Sequence, residues 1–194
     1  AGAAGVMGTA SPSANKPDHL ERPVPLTLYD ASIPVYVQML RNLAALLDKA
    51  EAHANATGLP LSELTEARLA PDMHSLVGQI QLASDAAKGG AARLSGIAPP
   101  SMPDTETTYD DLKARIAKTL AFVESIKPDQ ISDDLERTIE LPLPKGAMTF
   151  TAKDFVFTYA LPNFMFHVTT AYALLRHKGA PIGKLDFLAG ARRG

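Results

Sequence analysis

The chain of 194 residues contains no cysteine. A disulfide scaffold, a thiol nucleophile and a thiolate metal site are thereby excluded, and any metal has to be held by His, Asp, Glu, Asn or Gln. No apolar run approaches the ~18 residues that a transmembrane helix needs, so no membrane partner is expected. Neither sign of charge dominates: 19 Lys and Arg against 21 Asp and Glu leave a formal charge of -2. That balance removes the electrostatic reason to expect nucleic acid or an anionic bilayer as the main partner. Familiar catalytic signatures are missing as well. The sequence holds no Walker loop, GxGxxG, GxSxG, HExxH or EF-hand loop, which disfavours common phosphate, nicotinamide and zinc-protease chemistry. No Glu-x-x-His pair falls on a predicted helix, so di-iron bundle ligation is disfavoured too.

What remains is the composition of one soluble globular domain, 46% hydrophobic and 21% charged, with a core of ordinary size. Residues 1–24 are small, polar or proline-rich and read as a flexible extension. They lack the charged start and apolar centre of a secretory signal, and a cytoplasmic location is the expectation. Residues 25–190 read as the domain and 191–194 as a polar tail.

Four segments carry helical periodicity. In the first, Ile33, Val37, Leu40, Ala44 and Leu47 share a face, predicting a helix over about 32–56 with Asp30 or Ser32 as cap and Pro34 in its first turn. Pro71-Asp72 announces the second, whose stripe is Met73, Leu76, Ile80, Ala83 and Ala87. Gly89-Gly90 should end or bend it, unless Ala91–Leu94 adds a turn. After a proline-rich connection, Thr108 and Asp111 form a capping-box pair for a third helix carrying Leu112, Ile116, Leu120 and Val123. The alternating stretch around Pro144-Lys145-Gly146 predicts a small hairpin, Thr138–Leu141 against Met148–Phe150, which needs helices to lie against. Thr151 and Asp154 open the fourth helix, with a kink or break expected near Ala160-Leu161 because Pro162 lacks an N–H. The fold class is therefore all-α: an up-down-up-down four-helix bundle with a small β-hairpin between helices three and four.

Chemistry concentrates on the fourth helix. Tyr159, Asn163 and His167 lie on its inward stripe, and the last two are four residues apart, about 40° apart around the axis and one turn along it. Both can reach one ligand. Such a row demands hydrogen-bond partners, and a purely structural polar network is one outcome. Gln79 on the second helix abuts the apolar row and is read as an interhelical hydrogen-bonding group. His74 and Asp72 sit in that helix's predicted first turn. On an ideal helix His74 and Gln79 are about 140° apart and cannot share one centre. His19, His53 and His177 read as surface residues, Asp85 and Lys88 as a solvated ion pair. Phe155 and the neighbouring aromatics supply core or the apolar wall of a pocket.

The runs LTLYDASIPVYVQMLRNLAALLDKAEAHA, LAPDMHSLVGQIQLASDAAKGGAARLSG, YDDLKARIAKTLAFVESI and NFMFHVTTAYALLRHKGAPIGKLDFLAG together resemble the DinB/YfiT-like superfamily of helical bundles, in a branch catalogued only as a domain of unknown function. The resemblance implies a four-helix bundle with a ligand site between helices. Metal-binding members use three histidines, one on the second helix and two at i, i+4 on the last. Here His167 matches the second of that last pair, Asn163 the first and Gln79 the position on helix two, with a register that brings His74 nearer left open. Three readings follow. One is a metal-independent binder of, or enzyme on, a small, largely apolar molecule, with catalytic His167, Asn163 and Tyr159 and with Gln79, His74, Asp72 and Phe155 binding the ligand; no cofactor is expected. Another is a divalent-metal (Zn or Ni) transferase or hydrolase using His74, Asn163 and His167. The third is an inert polar core in a homodimeric interaction protein.

Overall fold

In the computed structural model the described residues are Gly2 and 25–190; the extension, His19 within it, and the tail lie outside them. The elements are α1 (Leu28–Thr57), α2 (Leu61–Thr65), α3 (Leu76–Ser95), α4 (Tyr109–Ser125), β1 (Thr138–Leu143), β2 (Gly146–Thr151), α5 (Ala152–Asp154), a π-helical segment (Phe155–Ala160), α6 (Leu161–His177) and α7 (Lys184–Ala189). The protein is mostly helical with one small antiparallel hairpin. No helix among the described residues is long and apolar enough to cross a membrane.

Local chemistry explains most boundaries. Thr27 caps α1 in a capping box with Asp30, so the helix begins earlier than its apolar stripe and Pro34 falls inside the helix, beyond the first turn. The Thr108–Asp111 box caps α4 as its spacing predicts. By contrast, α3 does not start at Pro71-Asp72. Those residues form a turn, in which the Arg68 guanidinium donates to the Met73 carbonyl and the Leu76 amide donates to Ala67. Backbone groups that would have opened the helix are committed elsewhere. At the other end α3 runs through Gly89-Gly90 to a left-handed Gly96.

Helix directions follow from which residues meet. Lys113, early in α4, pairs with Asp48 at 2.8 Å and Glu51 at 2.9 Å late in α1, while Arg41 pairs with Glu124 at 2.6 Å. Thus α1 and α4 are antiparallel. Tyr36 packs on Phe164 and His53 comes alongside Gly179 just past α6, so α1 and α6 run the same way. Gln79 meets His167, whereas Gly89 and Arg93 face Phe155 and Tyr159, which makes α3 antiparallel to α6. Helices α1 and α6 point one way and α3 and α4 the other. The strictly alternating order expected from the sequence is corrected to up-down-down-up.

The reason is the connection over 96–108. Extended, it reaches roughly 40 Å, more than the about 30 Å length of a helix of 20 residues such as α3. It returns along α4: Ser101 accepts from Lys118 at 3.0 Å, Pro103 from Arg115 at 3.3 Å, and Glu106 from Arg115 at 2.9 Å. The Arg115 side chain is 1% exposed and also bridges Asp85 of α3 and Asp104, both at 3.0 Å. Asp85, expected simply to pair with Lys88, does so at 3.0 Å and serves Arg115 as well. Burial pushes the Glu106 carboxyl up, but hydrogen bonds from Gln81 and Arg115 outweigh it and hold it below the usual range.

The hairpin pairs Ile139 with Phe150 and Leu141 with Met148. Pro142 lies inside β1, where a two-stranded ribbon tolerates it because every position is an edge. Pro144 and Lys145 make the turn, closed by Gly146 at φ 101. Pro162 produces no break. The turn before it widens instead, with the Leu161 amide donating to Val156, five residues back, which absorbs the missing donor and the bulk of the ring. Helix α7, absent from the predicted elements, is tied to α1 by Asn42 Nδ2 donating to Phe187 at 2.8 Å and by Lys49 with Asp186 at 2.6 Å.

Replacing Arg115 by Met should destabilise the protein by about 3 kcal/mol, the low end for breaking a buried pair because Asp85 and Asp104 stay in water. Urea denaturation checks it; a loss below about 1 kcal/mol would mark the cluster as an ordinary surface network.

Candidate functional site

Antiparallel packing of α3 on α6 lays Gln79 against His167 at one end of the interface and the α3 glycines against Phe155 and Tyr159 at the other. The expected single constellation is resolved into two parts, a hydrogen-bonded pair and a cavity, joined by Asn163 one turn from His167.

In the pair, His167 is 9% exposed and Gln79 2%. His167 Nδ1 lies 2.8 Å from Gln79 Oε1. Gln79 Nε2 points to the His74 carbonyl at 3.5 Å, which sets the amide's orientation, so the atom facing the imidazole is an acceptor. Nδ1 therefore carries the proton and donates. The neutral ring keeps its lone pair on Nε2, which has no hydrogen-bond partner among the described residues. Burial, and then the charge of His74, hold His167 below its ordinary pKa. The Phe166 ring meets the imidazole edge-on at 5.2 Å.

His74 reaches this end of the interface because it precedes α3 and is not part of it. The angular conflict with Gln79, computed for an ideal helix, disappears once His74 sits in the turn. Its ring folds over Gly78, where a Cβ would lie 2.9 Å from His74 Cβ. Asp72 is not brought in; it is exposed and makes no hydrogen bond or ion pair with the described residues.

The cavity holds about 200 Å³ between α3 and the π-helical end of α6, walled by Leu82, Ala86, Gly89, Gly90, Leu141, Phe155, Tyr159, Ala160 and Asn163, with Asp85 and Arg93 also on it. Widening of the helix before Pro162 stacks Phe155 and Tyr159, 6.2 Å apart, under Phe150 of the hairpin. Half-buried Asn163 and Tyr159 make no side-chain hydrogen bond with the described residues. His167 and Gln79 do not line this space. Sequence reasoning missed the α3 wall, although Gly89-Gly90 inside an apolar helical pattern was a signal of close approach rather than of a helix stop.

A metal centre of three imidazoles does not fit these residues. Gln79 Oε1 is taken by the imidazole itself, so the amide stands beside the ring and not across an ion from it. Among the described residues no three His, Asp or Glu side chains converge, and the set His74, Asn163 and His167 offers two imidazoles and a weakly binding amide.

A mostly helical domain whose last long helix pairs an inward imidazole with an amide defines a class of helical-bundle protein. Comparison with known proteins specifies it. The family described as "Domain of unknown function (DUF1993)" matches residues 28–188, and the chain belongs to that family. It is similar to a crystal structure of a DinB family member protein from Shewanella denitrificans, with 39% identity and a TM-score of 0.77 over 83% of this chain and 91% of that one. No curated protein matches.

Because the folded state resists protonating His167, its contribution to stability is complete above the unfolded pKa near 6.5 and is lost as pH falls through the lower folded value. Thermal melts from pH 7.5 to 5 should therefore show a decline that His167→Asn makes shallower. Long-range 15N–1H spectra at pH 7.5 should show His167 protonated on Nδ1 alone; an Nε2–H tautomer would contradict the pairing.

Proposed function

We propose that the protein binds a small, largely apolar molecule in the α3/α6 cavity without a metal, and that His167 is the acid/base group of the same interface. The observation that carries this reading is an amide and a phenol, Asn163 and Tyr159, without hydrogen-bond partners among the described residues on the wall of a mostly apolar cavity. Polar groups so placed orient a ligand, and apolar walls bind it. At about 200 Å³ the space is smaller than the ~300–1,000 Å³ of sites for drug-sized ligands, so the occupant is a compact molecule. His167 supports an acid/base role because its free Nε2 is the basic atom of a neutral ring. That atom lies one turn beyond Asn163, outside the cavity wall, so a reacting ligand has to extend along α6 toward it.

A second reading, association of two copies through α6, is favoured by the exposed row Pro162, Phe166 and Thr169, with Phe166 57% exposed. Sedimentation of wild type and Phe166→Ser tests it; a dimer that the substitution dissociates supports it, and a monomeric wild type ends it.

For the main reading, an NMR titration with toluene in EDTA should shift the methyl signals of Leu82, Ala86 and Ala160, and Ala86→Phe, which fills the space, should weaken binding at least ~10-fold. Undisturbed methyl signals in the wild type, or binding unchanged in Ala86→Phe, would sink the cavity as the binding site. Loss of binding in EDTA, restored by zinc or nickel, would replace the metal-independent reading.

A further inference from the structure

The α3 wall of the cavity carries a guanidinium that no carboxylate balances. Arg93 is half-buried, lies on the cavity and makes no ion pair with the described residues. Its one hydrogen bond among them runs from Nη1 to the Gly89 carbonyl at 3.0 Å. Nε and Nη2 are left over. These two donors lie side by side on one edge of a guanidinium, the edge that matches the two oxygens of a carboxylate. Unlike Nε of Arg115, neither is sealed away from water.

The position of the guanidinium follows from α3 itself. A long helical side chain leans toward the helix N-terminus, over the residue four places earlier, and here that residue is glycine. A Cβ on Gly89 would stand 2.7 Å from Nη1, so its absence lets the guanidinium settle along the helix. Gly90, beside it, is filled from the core side: a Cβ there would collide with the hydroxyl of the fully buried Tyr36. Asp85 is the one carboxylate among the described residues lining the cavity, and Lys88 and Arg115 already hold it, each at 3.0 Å. Arg93 is the one cation among them. Across the same space stand Tyr159 and Asn163, unpartnered among the described residues and both able to donate.

We propose that the cavity takes a compact monocarboxylate with an apolar or aromatic body, its carboxylate on Nε and Nη2 of Arg93 and its body against Leu82, Ala86 and Phe155. One cation balances one negative charge, so a phosphate dianion would be left half neutralised. The space opens to solvent, and the carboxylate therefore keeps part of its hydration as it pairs, which reduces the desolvation that makes a deeply buried ion pair unfavourable. Tyr159 and Asn163 are the further donors of the site. The inference rests on the cavity being the ligand site and adds the ligand's charge and functional group. It makes Arg93 a specificity-determining residue.

Benzoate, benzamide and toluene share one ring, and the first two are nearly isosteric and differ in charge. NMR titration at neutral pH in EDTA, followed at the methyl signals of Leu82, Ala86 and Ala160 and backed by calorimetry, compares them. Wild type should bind benzoate about tenfold more tightly than benzamide, as expected for a charge-assisted pair that stays partly hydrated. Arg93→Gln should abolish that preference and still bind toluene, and it should fold as wild type does because the one bond removed lies within α3. In wild type, the Arg93 15Nε signal should move with benzoate and not with toluene, a measurement that needs no variant. Equal affinity for benzoate and benzamide in wild type, a preference that survives in Arg93→Gln, or an Arg93 signal indifferent to benzoate overturns the inference while leaving toluene binding, and so the cavity, in place. Failure of all three probes to move the methyl signals of wild type overturns the cavity reading and this one together.

Discussion

A buried guanidinium surrounded by carboxylates from two other parts of the chain is the constraint on which the architecture depends. Arg115 projects from α4, Asp85 from α3, and Asp104 and Glu106 from the segment between them. An arginine taken out of water is tolerable only when its charge is paired, and pairing its two terminal nitrogens brings the connection back along α4. The two helices it joins are thereby left running in the same direction. Once α3 lies parallel to α4, its remaining face packs antiparallel on α6, and Gln79 comes opposite His167 and no other residue of that stripe.

The second constraint is Pro162. A helix that had to continue through it widened its preceding turn, and Phe155 and Tyr159 now stack against Phe150 of the hairpin. The ribbon, too small to stand alone, has its buried strand residues Ile139 and Leu141 in the core, and Leu141 closes one side of the cavity. The cavity thus exists because a proline, two glycines and a hairpin meet where ordinary side chains would have filled the space.

Pairing of an imidazole with an amide decides what the interface can do. An imidazole whose Nδ1 proton is held by an amide oxygen, and whose surroundings disfavour charge, presents a basic Nε2 at neutral pH. Membership of a DinB-like family of unknown function brings no reaction with it, and the same bundle is compatible with unrelated chemistries. What this chain brings to that bundle is its local donor set, an imidazole held to an amide oxygen at 2.8 Å.

Much of this was legible in the residues alone. Apolar spacing located four long helices, the Thr108–Asp111 pair capped one of them, Pro144-Lys145-Gly146 marked the hairpin turn, and the inward placement of Gln79 and His167 followed from their positions on apolar stripes. These features depend on neighbours within a few residues, where backbone geometry and periodicity act directly. The start of α3 was misread because Arg68 and Ala67 engage its preceding turn, and that error made His74 appear to face away from Gln79. Helix order, the separation of His167 from the cavity, and the approach of Tyr36 to Gly90 arise from contacts between residues dozens of positions apart. Local pattern carries no information about which direction a long connection returns, or which small residue will admit a distant phenol; packing of the complete chain settles both.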